Sequence, residues 1–159
     1  MTFKLVKRII SGGQTGADLG GLRAAKSLGI PTGGYVPKGY RTENGSNPDL
    51  KNLYGLIETS SWQYPERTIR NIVESDLTII FSARNSPGSN MTRSYCIERA
   101  KPHLMVNPYK VDIDFVRSFI ERISEKISDS VVINIAGNRE RRSPGIEDEV
   151  EKIVVKILS

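Results

Sequence analysis

Reactive side chains are scarce in this chain, which has one cysteine, Cys96, and one histidine, His103. A single cysteine excludes an internal disulfide and suits a reducing cytoplasm, which is the expected location. Without a Cys/His cluster at ligand spacing, no metal site is expected. Serine-hydrolase chemistry lacks its G-x-S-x-G elbow. There is no Gly-Lys-Ser/Thr of a Walker A loop and no G-x-G-x-x-G dinucleotide fingerprint. No apolar run approaches the roughly 18 residues of a membrane span. The segment Met1 to Ile10 is too short and too charged for a signal peptide. No stripe of Lys and Arg interleaved with aromatics is present, which argues against nucleic acid as a partner. No internal repeat, low-complexity tract or linker divides the chain.

What remains is a 159-residue chain, the usual size of one domain, long enough to form a core without a staple. Twenty-three Lys and Arg against 18 Asp and Glu give a net charge of +5. That excess reads either as an ordinary solvated surface or as a field that attracts anions such as phosphates.

Apolar runs alternate with helical patterns along the chain. Strands are expected at Lys7 to Ser11, Thr32 to Val36, Leu53 to Glu58, Leu77 to Ser82, His103 to Val106 and Val131 to Ala136. Helices are expected at Gly16 to Leu28, Pro65 to Ser75, about Met91 to Ala100, after an Asp112 cap, and from Ser143-Pro144 onward. The strands Leu77 to Ser82 and His103 to Val106 read as buried on both faces, as in a parallel sheet. The pattern predicts an α/β fold: a Rossmann-like, doubly wound, mainly parallel sheet with helices on both faces. Ligands of such sheets sit beyond the carboxyl ends of the strands, where the strand order reverses.

Three loops at such positions carry suitable residues. In the first, Gly12, Gly13, Gln14, Thr15 and Gly16 lead to Asp18, and glycines there admit close backbone approach to a ligand at a helix N-terminus. The same loop also reads as a tight strand-to-helix turn. The second holds Gly88, Ser89 and Thr92, and reads equally as a loop ending in a helix cap. The third holds Gly137, Arg139 and Glu140. Arg139 can grip a phosphate or carboxylate bidentately; alternatively it is a surface charge beside Glu140. Lys38, Arg41 and Arg67 complete the anion contacts, with Thr68, Asn71 and Asn134 as further polar candidates. A side chain at Gly13 is expected to block the ligand and spare the fold. Asp18 and Glu140 are the carboxylates in these loops, and so the catalytic candidates. Cys96 is expected as a small buried hydrophobe and His103 as structural.

Several segments together resemble the putative molybdenum carrier family, the circularly permuted YpsA-like branch of the superfamily containing LOG and lysine-decarboxylase-like proteins. They are Ile10-Ser11-Gly12-Gly13-Gln14-Thr15-Gly16-Ala17-Asp18, Gly33-Gly34-Tyr35-Val36-Pro37-Lys38-Gly39, Arg67-Thr68 with Asn71 and Ser75-Asp76, and Asn134-Ile135-Ala136-Gly137-Asn138-Arg139-Glu140 with Pro144-Gly145-Ile146. The resemblance implies a Rossmann-like fold, self-association into a homo-oligomer, and a nucleotide-like or molybdenum-cofactor-like ligand. At Pro87-Gly88-Ser89-Asn90-Met91-Thr92 the chain departs from the P-G-G-x-G-T-x-x-E pattern of LOG enzymes. Tyr95 stands where those nucleotide hydrolases carry a catalytic glutamate.

These readings give two functions. The first is a carrier or sensor of a small phosphorylated ligand. The second is a LOG-type phosphoribohydrolase that cleaves the N-glycosidic bond of nucleoside 5′-monophosphates, using Asp18 or Glu140 to stabilise a cationic sugar.

Overall fold

The computed structural model describes residues 2–159. Five parallel strands form the central sheet: β1 (Val6–Ser11), β2 (Thr32–Gly33), β7 (Leu77–Phe81), β8 (His103–Val106) and β9 (Val131–Gly137). Their spatial order is β2-β1-β9-β7-β8. The last strand in the chain thus inserts between the first strand and β7, so the strand order reverses at the middle of the sheet. Two-residue strands β3 (Tyr35–Val36) and β6 (Ile57–Glu58) pair in parallel to one side, and β4 (Arg41–Thr42) and β5 (Gly45–Ser46) form a small hairpin. The helices are α1 (Ala17–Ser27), α2 (Asp49–Asn52), α3 (Tyr64–Val73), α4 (Pro87–Glu98), α5 (Ile113–Ile127) and α6 (Ile146–Leu158), preceded by a short 3-10 turn at Thr2–Leu5. Among the described residues no helix is long and apolar enough to cross a membrane. The architecture is Rossmann-like α/β.

Side chains alternate across a strand, and here the alternation divides core from cleft. Val131, Ile133 and Ile135 of β9 join Leu77, Ile79 and Phe81 of β7 in the main core, under buried residues of α1, α5 and α6. The intervening Asn134 and Ala136 face the opposite side, toward a cleft bordered by α3 and α4. On the core side α1 packs closely on its neighbours because Gly20 and Gly21 lack side chains. A Cβ at Gly20 would stand 3.1 Å from Val150 Cβ, and one at Gly21 2.7 Å from Ile135. Cys96 is fully buried, as expected, and burial pushes its thiol above the ordinary value.

Four expectations are corrected. Thr32 to Val36 is not one strand. The chain breaks at Gly34, whose φ of 127° and close approach to the Ser11 carbonyl redirect Tyr35–Val36 to pair with β6. Strand β8 lies at the sheet edge and is half-buried throughout rather than buried on both faces. Helix α4 begins at Pro87, four residues before Met91: the Ser86 hydroxyl accepts from Ser89 N (3.1 Å), and proline occupies the first turn. Helix α6 begins at Ile146 after Gly145 in the left-handed conformation, so Ser143-Pro144 is a preceding turn.

Candidate functional site

A cleft of about 360 Å³ opens where β1, β9 and β7 end. Its floor is Gly12, Gln14, Asp18, Asn134, Ala136 and Gly137. Helix α3 contributes Tyr64, Pro65, Arg67, Thr68 and Asn71, and α4 with its preceding residue contributes Ser86, Pro87, Gly88, Met91, Thr92 and Tyr95. Arg139 and Arg142 close it from the loop after β9. Eleven of the residues expected from the sequence therefore meet here: Gly12, Gln14, Asp18, Arg67, Thr68, Asn71, Gly88, Thr92, Asn134, Gly137 and Arg139.

The polar end is built around a buried ion pair. Arg67 Nη1 donates to Asp18 Oδ2 at 3.2 Å, with both side chains at least nine-tenths buried. The guanidinium passes over the face of Gly12, where any Cβ would overlap it. Gln14 N also donates to Asp18 Oδ2, at 3.1 Å. Burial pushes the Asp18 carboxyl up from its ordinary value; Arg67, Gln14 N–H and Arg139 oppose that push and only partly offset it. Gln14 Oε1 accepts from Thr15 N and Glu43 N, while Gln14 Nε2 and Arg67 Nε are buried without a protein partner. Gln14 is 4% exposed and Arg67 8%. A buried donor without an acceptor costs roughly 1–3 kcal/mol, and these two belong to side chains that line the cleft.

One aromatic ring organises the cations. The guanidinium carbons of Arg41, Arg139 and Arg67 lie 4.5, 4.7 and 5.2 Å from the Tyr64 ring centroid. Each such contact is worth about 0.5–1 kcal/mol at an exposed site and fixes a mobile side chain. The cleft lining carries three guanidiniums, of Arg67, Arg139 and Arg142, against the single carboxylate of Asp18, already engaged. Met91, Tyr95, Pro65 and Pro87 give the wall toward α4 an apolar, partly aromatic character.

The first glycine loop is folded on itself rather than held open as a phosphate cradle. Gly13 N donates to Ser11 Oγ (3.1 Å), Thr15 N to Gln14 Oε1 (3.1 Å) and Ala17 N to Asn138 O (3.0 Å). Thr15 Oγ1 donates to Glu43 and accepts from Glu140 N, so it is held away from the cleft. Gly16 (φ 82°) lets α1 meet the loop after β9, with Asn138 O and Glu140 N at its Cα face. Gly13 (φ 70°) points the other way: a Cβ would stand 2.9–3.0 Å from Leu50, Val36 and Leu56. A side chain there would not spare the fold. Gly13→Ala should cost about 1–2 kcal/mol of stability from the left-handed backbone alone, read as a lower urea midpoint. A midpoint equal to wild type would contradict this placement.

Lys38 is exposed and, like Arg41 and Ser89, does not line the cleft. Arg41 instead donates to Trp62 O (3.1 Å). The buried Ser89 hydroxyl accepts from Asn138 Nδ2 (3.2 Å). Asn71 borders the cleft, but both ends of its amide hold the Tyr35 backbone, at 2.8 and 2.9 Å. Glu140 lies outside the lining and caps α6, accepting from Gly145 N and from Glu147 N (3.0 Å). Of the two catalytic candidates, Asp18 alone faces the cleft.

Sequence reasoning missed Tyr64, Arg142 and the structural hub Asn138. Asn138 Oδ1 accepts from Ala83 N (2.8 Å) and Arg84 N (3.0 Å), and Nδ2 donates to Arg84 O, Ser86 Oγ and Ser89 Oγ at 3.0–3.2 Å. One buried amide thus ties the loop after β7 to the end of β9. Tyr64 carried no sequence signal, because nothing local marks it as a neighbour of arginines far along the chain.

No functionally curated protein matches this chain. The solved structure of a putative molybdenum carrier protein from Syntrophus aciditrophicus SB is similar to it, with a TM-score of 0.84 and 33% identity over 98% of this chain and 96% of that one. The profile of the circularly permutated YpsA SLOG family matches residues 9–158, a span that includes every residue of the cleft. The chain belongs to the circularly permuted YpsA SLOG family.

Proposed function

We propose that the protein is a carrier or sensor that binds a small phosphorylated heterocycle, a nucleoside monophosphate or a pterin phosphate, in the cleft between α3 and α4. The observation that carries this reading is the pair of buried, unpartnered donors, Gln14 Nε2 and Arg67 Nε, on side chains that line a cleft with excess guanidinium charge. A phosphate supplies the acceptors that both ends of this arrangement lack. Helix α4 turns its N-terminus toward the same space through Ser86, Pro87 and Gly88, where the dipole favours an anion. The apolar wall of Met91, Tyr95 and Pro65 suits a flat ring, and about 360 Å³ falls in the range of small-ligand pockets. Molybdenum would enter such a site as part of a pterin ligand, whose phosphate and ring match the two ends of the cleft.

Binding is favoured over nucleotide hydrolysis because neither candidate carboxylate is free for chemistry. Asp18 is held by Arg67 and Gln14 N, Glu140 is spent on α6, and Tyr95 borders the cleft in place of the glutamate of LOG enzymes.

Native mass spectrometry of the purified protein should show a phosphorylated heterocycle bound at close to one per chain, and calorimetry should show AMP or a pterin phosphate binding the emptied protein. Arg139→Ala should weaken that binding by about 1–3 kcal/mol, the worth of a charge-assisted contact, or roughly 5- to 150-fold. Absence of any bound phosphorylated compound, with no AMP or pterin phosphate binding at millimolar concentration, would refute the reading. Release of adenine from AMP would replace it with the hydrolase.

A further inference from the structure

Beyond the cleft, and sharing Arg139 and Arg142 with it, lies a more open recess of about 440 Å³ whose other lining residues are Arg84, Arg141 and Glu43. Four guanidiniums therefore surround one recess that contains one carboxylate. That carboxylate is already engaged, because Glu43 accepts from Thr15 Oγ1 and from Arg141 N (3.3 Å). Among the described residues none of the four arginines makes a salt bridge. Like charges held this close repel one another and focus a positive potential on the space between them.

The backbone keeps them there. Both the N–H and the carbonyl of Arg84 are bonded to the buried Asn138 amide. Arg141 is anchored through its N–H to Glu43 and through Nη2 to Asn44 Oδ1 (3.1 Å). Arg139 lies against Tyr64. Asn138, the Glu43–Asn44 turn and Tyr64 thus hold residues of the recess from three separate segments of chain, two of them by contact with a guanidinium.

We propose that the ligand carries a second anionic group, such as the further phosphate of a nucleoside di- or triphosphate, which leaves the cleft between Arg139 and Arg142 and is held in the recess by Arg84 and Arg141. This rests on the reading that the cleft itself takes the first phosphate. The ligand class is then a heterocycle bearing at least two linked phosphates, and the recess discriminates it from the monophosphate.

The test compares AMP, ADP and inorganic tripolyphosphate by calorimetry, for the wild type and the double variant Arg84→Ala/Arg141→Ala. Both side chains are exposed and outside the cleft, and an unchanged melting temperature would show that the fold is retained. ADP should bind the wild type about tenfold or more tightly than AMP at roughly 0.01 M salt, and the advantage should shrink at 0.15 M, where the Debye length falls from about 30 to about 8 Å. In the double variant ADP should fall to the affinity of AMP, and AMP should be unchanged. If AMP binds but ADP binds no better, or if the ADP advantage survives in the variant, the recess proposal is overturned and the cleft reading stands. If neither nucleotide binds, the cleft reading fails. Tripolyphosphate then decides the recess: affinity lost in the double variant retains it, and affinity unchanged in the variant overturns it.

Discussion

Arg67→Met should destabilise the free protein by about 3–5 kcal/mol near neutral pH, the cost of leaving a buried charge without its partner. Asp18 and Arg67 are both largely buried, and Asp18 Oδ2 keeps only the Gln14 N–H once the guanidinium is gone. The effect should depend on pH with a definite sign. In the wild type burial already holds the Asp18 carboxyl above its ordinary value of 3.8. A group raised on folding contributes stability that is fully present below its unfolded value and is lost as pH rises through the folded one. Removing Arg67 takes away the strongest influence that pulls Asp18 down, so the folded value climbs further and the loss extends to higher pH. Urea titrations should therefore show a small penalty near the ordinary carboxylate value and the full penalty at neutral pH and above. Asp18→Asn/Arg67→Met should recover most of the stability, because a neutral amide still accepts from Gln14 N. A penalty equal at acid and neutral pH, or no recovery in the double variant, would show that the ion pair is not the cause.

Asn138→Ala should cost about 2–4 kcal/mol and loosen the loop that carries Ser82 to Ser89. The substitution removes the partner of the Ala83 and Arg84 amides and of the Arg84 carbonyl, at about 1–3 kcal/mol for each group that stays buried and unpaired. The upper figures are not summed, because the loop can relax toward solvent. Amide hydrogen exchange should speed up at Ala83 and Arg84 well beyond the change in global stability. Asn138→Asp separates the two halves of the network. Its carboxylate can still accept from both amides but has no donor for the Arg84 carbonyl, so protection at Ala83 and Arg84 should be partly restored while stability stays below wild type. Exchange at these two amides that merely follows global unfolding in Asn138→Ala would remove Asn138 from its place as the tie between β7 and β9. Because Gly88, which lines the cleft, stands on this loop, AMP affinity should also fall in Asn138→Ala.

Local order was largely legible. The apolar run Leu77 to Phe81, the Asp112 cap, where Oδ1 accepts from Phe115 N (3.1 Å), and the periodic apolar face of α6 each follow from interactions within a few residues. The location of the cleft was legible too, because parallel strands leave their loops at one edge whatever the details of packing. The errors have two origins, one local and one distant. The missed start of α4 lay in reach, since Ser86-Pro87 is a cap-and-proline pair. Gly34 was read as part of a strand because its break comes from contact with Ser11, 23 positions earlier in the chain.

The sequence alone determined the kind of molecule this is: a parallel α/β fold with glycine- and hydroxyl-bearing loops at the strand ends and an excess of basic over acidic residues. Composition and short-range pattern govern those properties. Only the tertiary structure decided which candidates face the cleft. Glu140 is taken by the first amides of α6 and Thr15 by Glu43, and Gly13 is turned onto Leu50. Tyr64 gathers Arg41, Arg67 and Arg139. The Thr15, Gly13 and Tyr64 outcomes depend on residues tens of positions away, and that of Glu140 on amides five and seven residues on, which the turn before α6 presents to it. A buried donor or acceptor takes the nearest partner that chain packing brings to it.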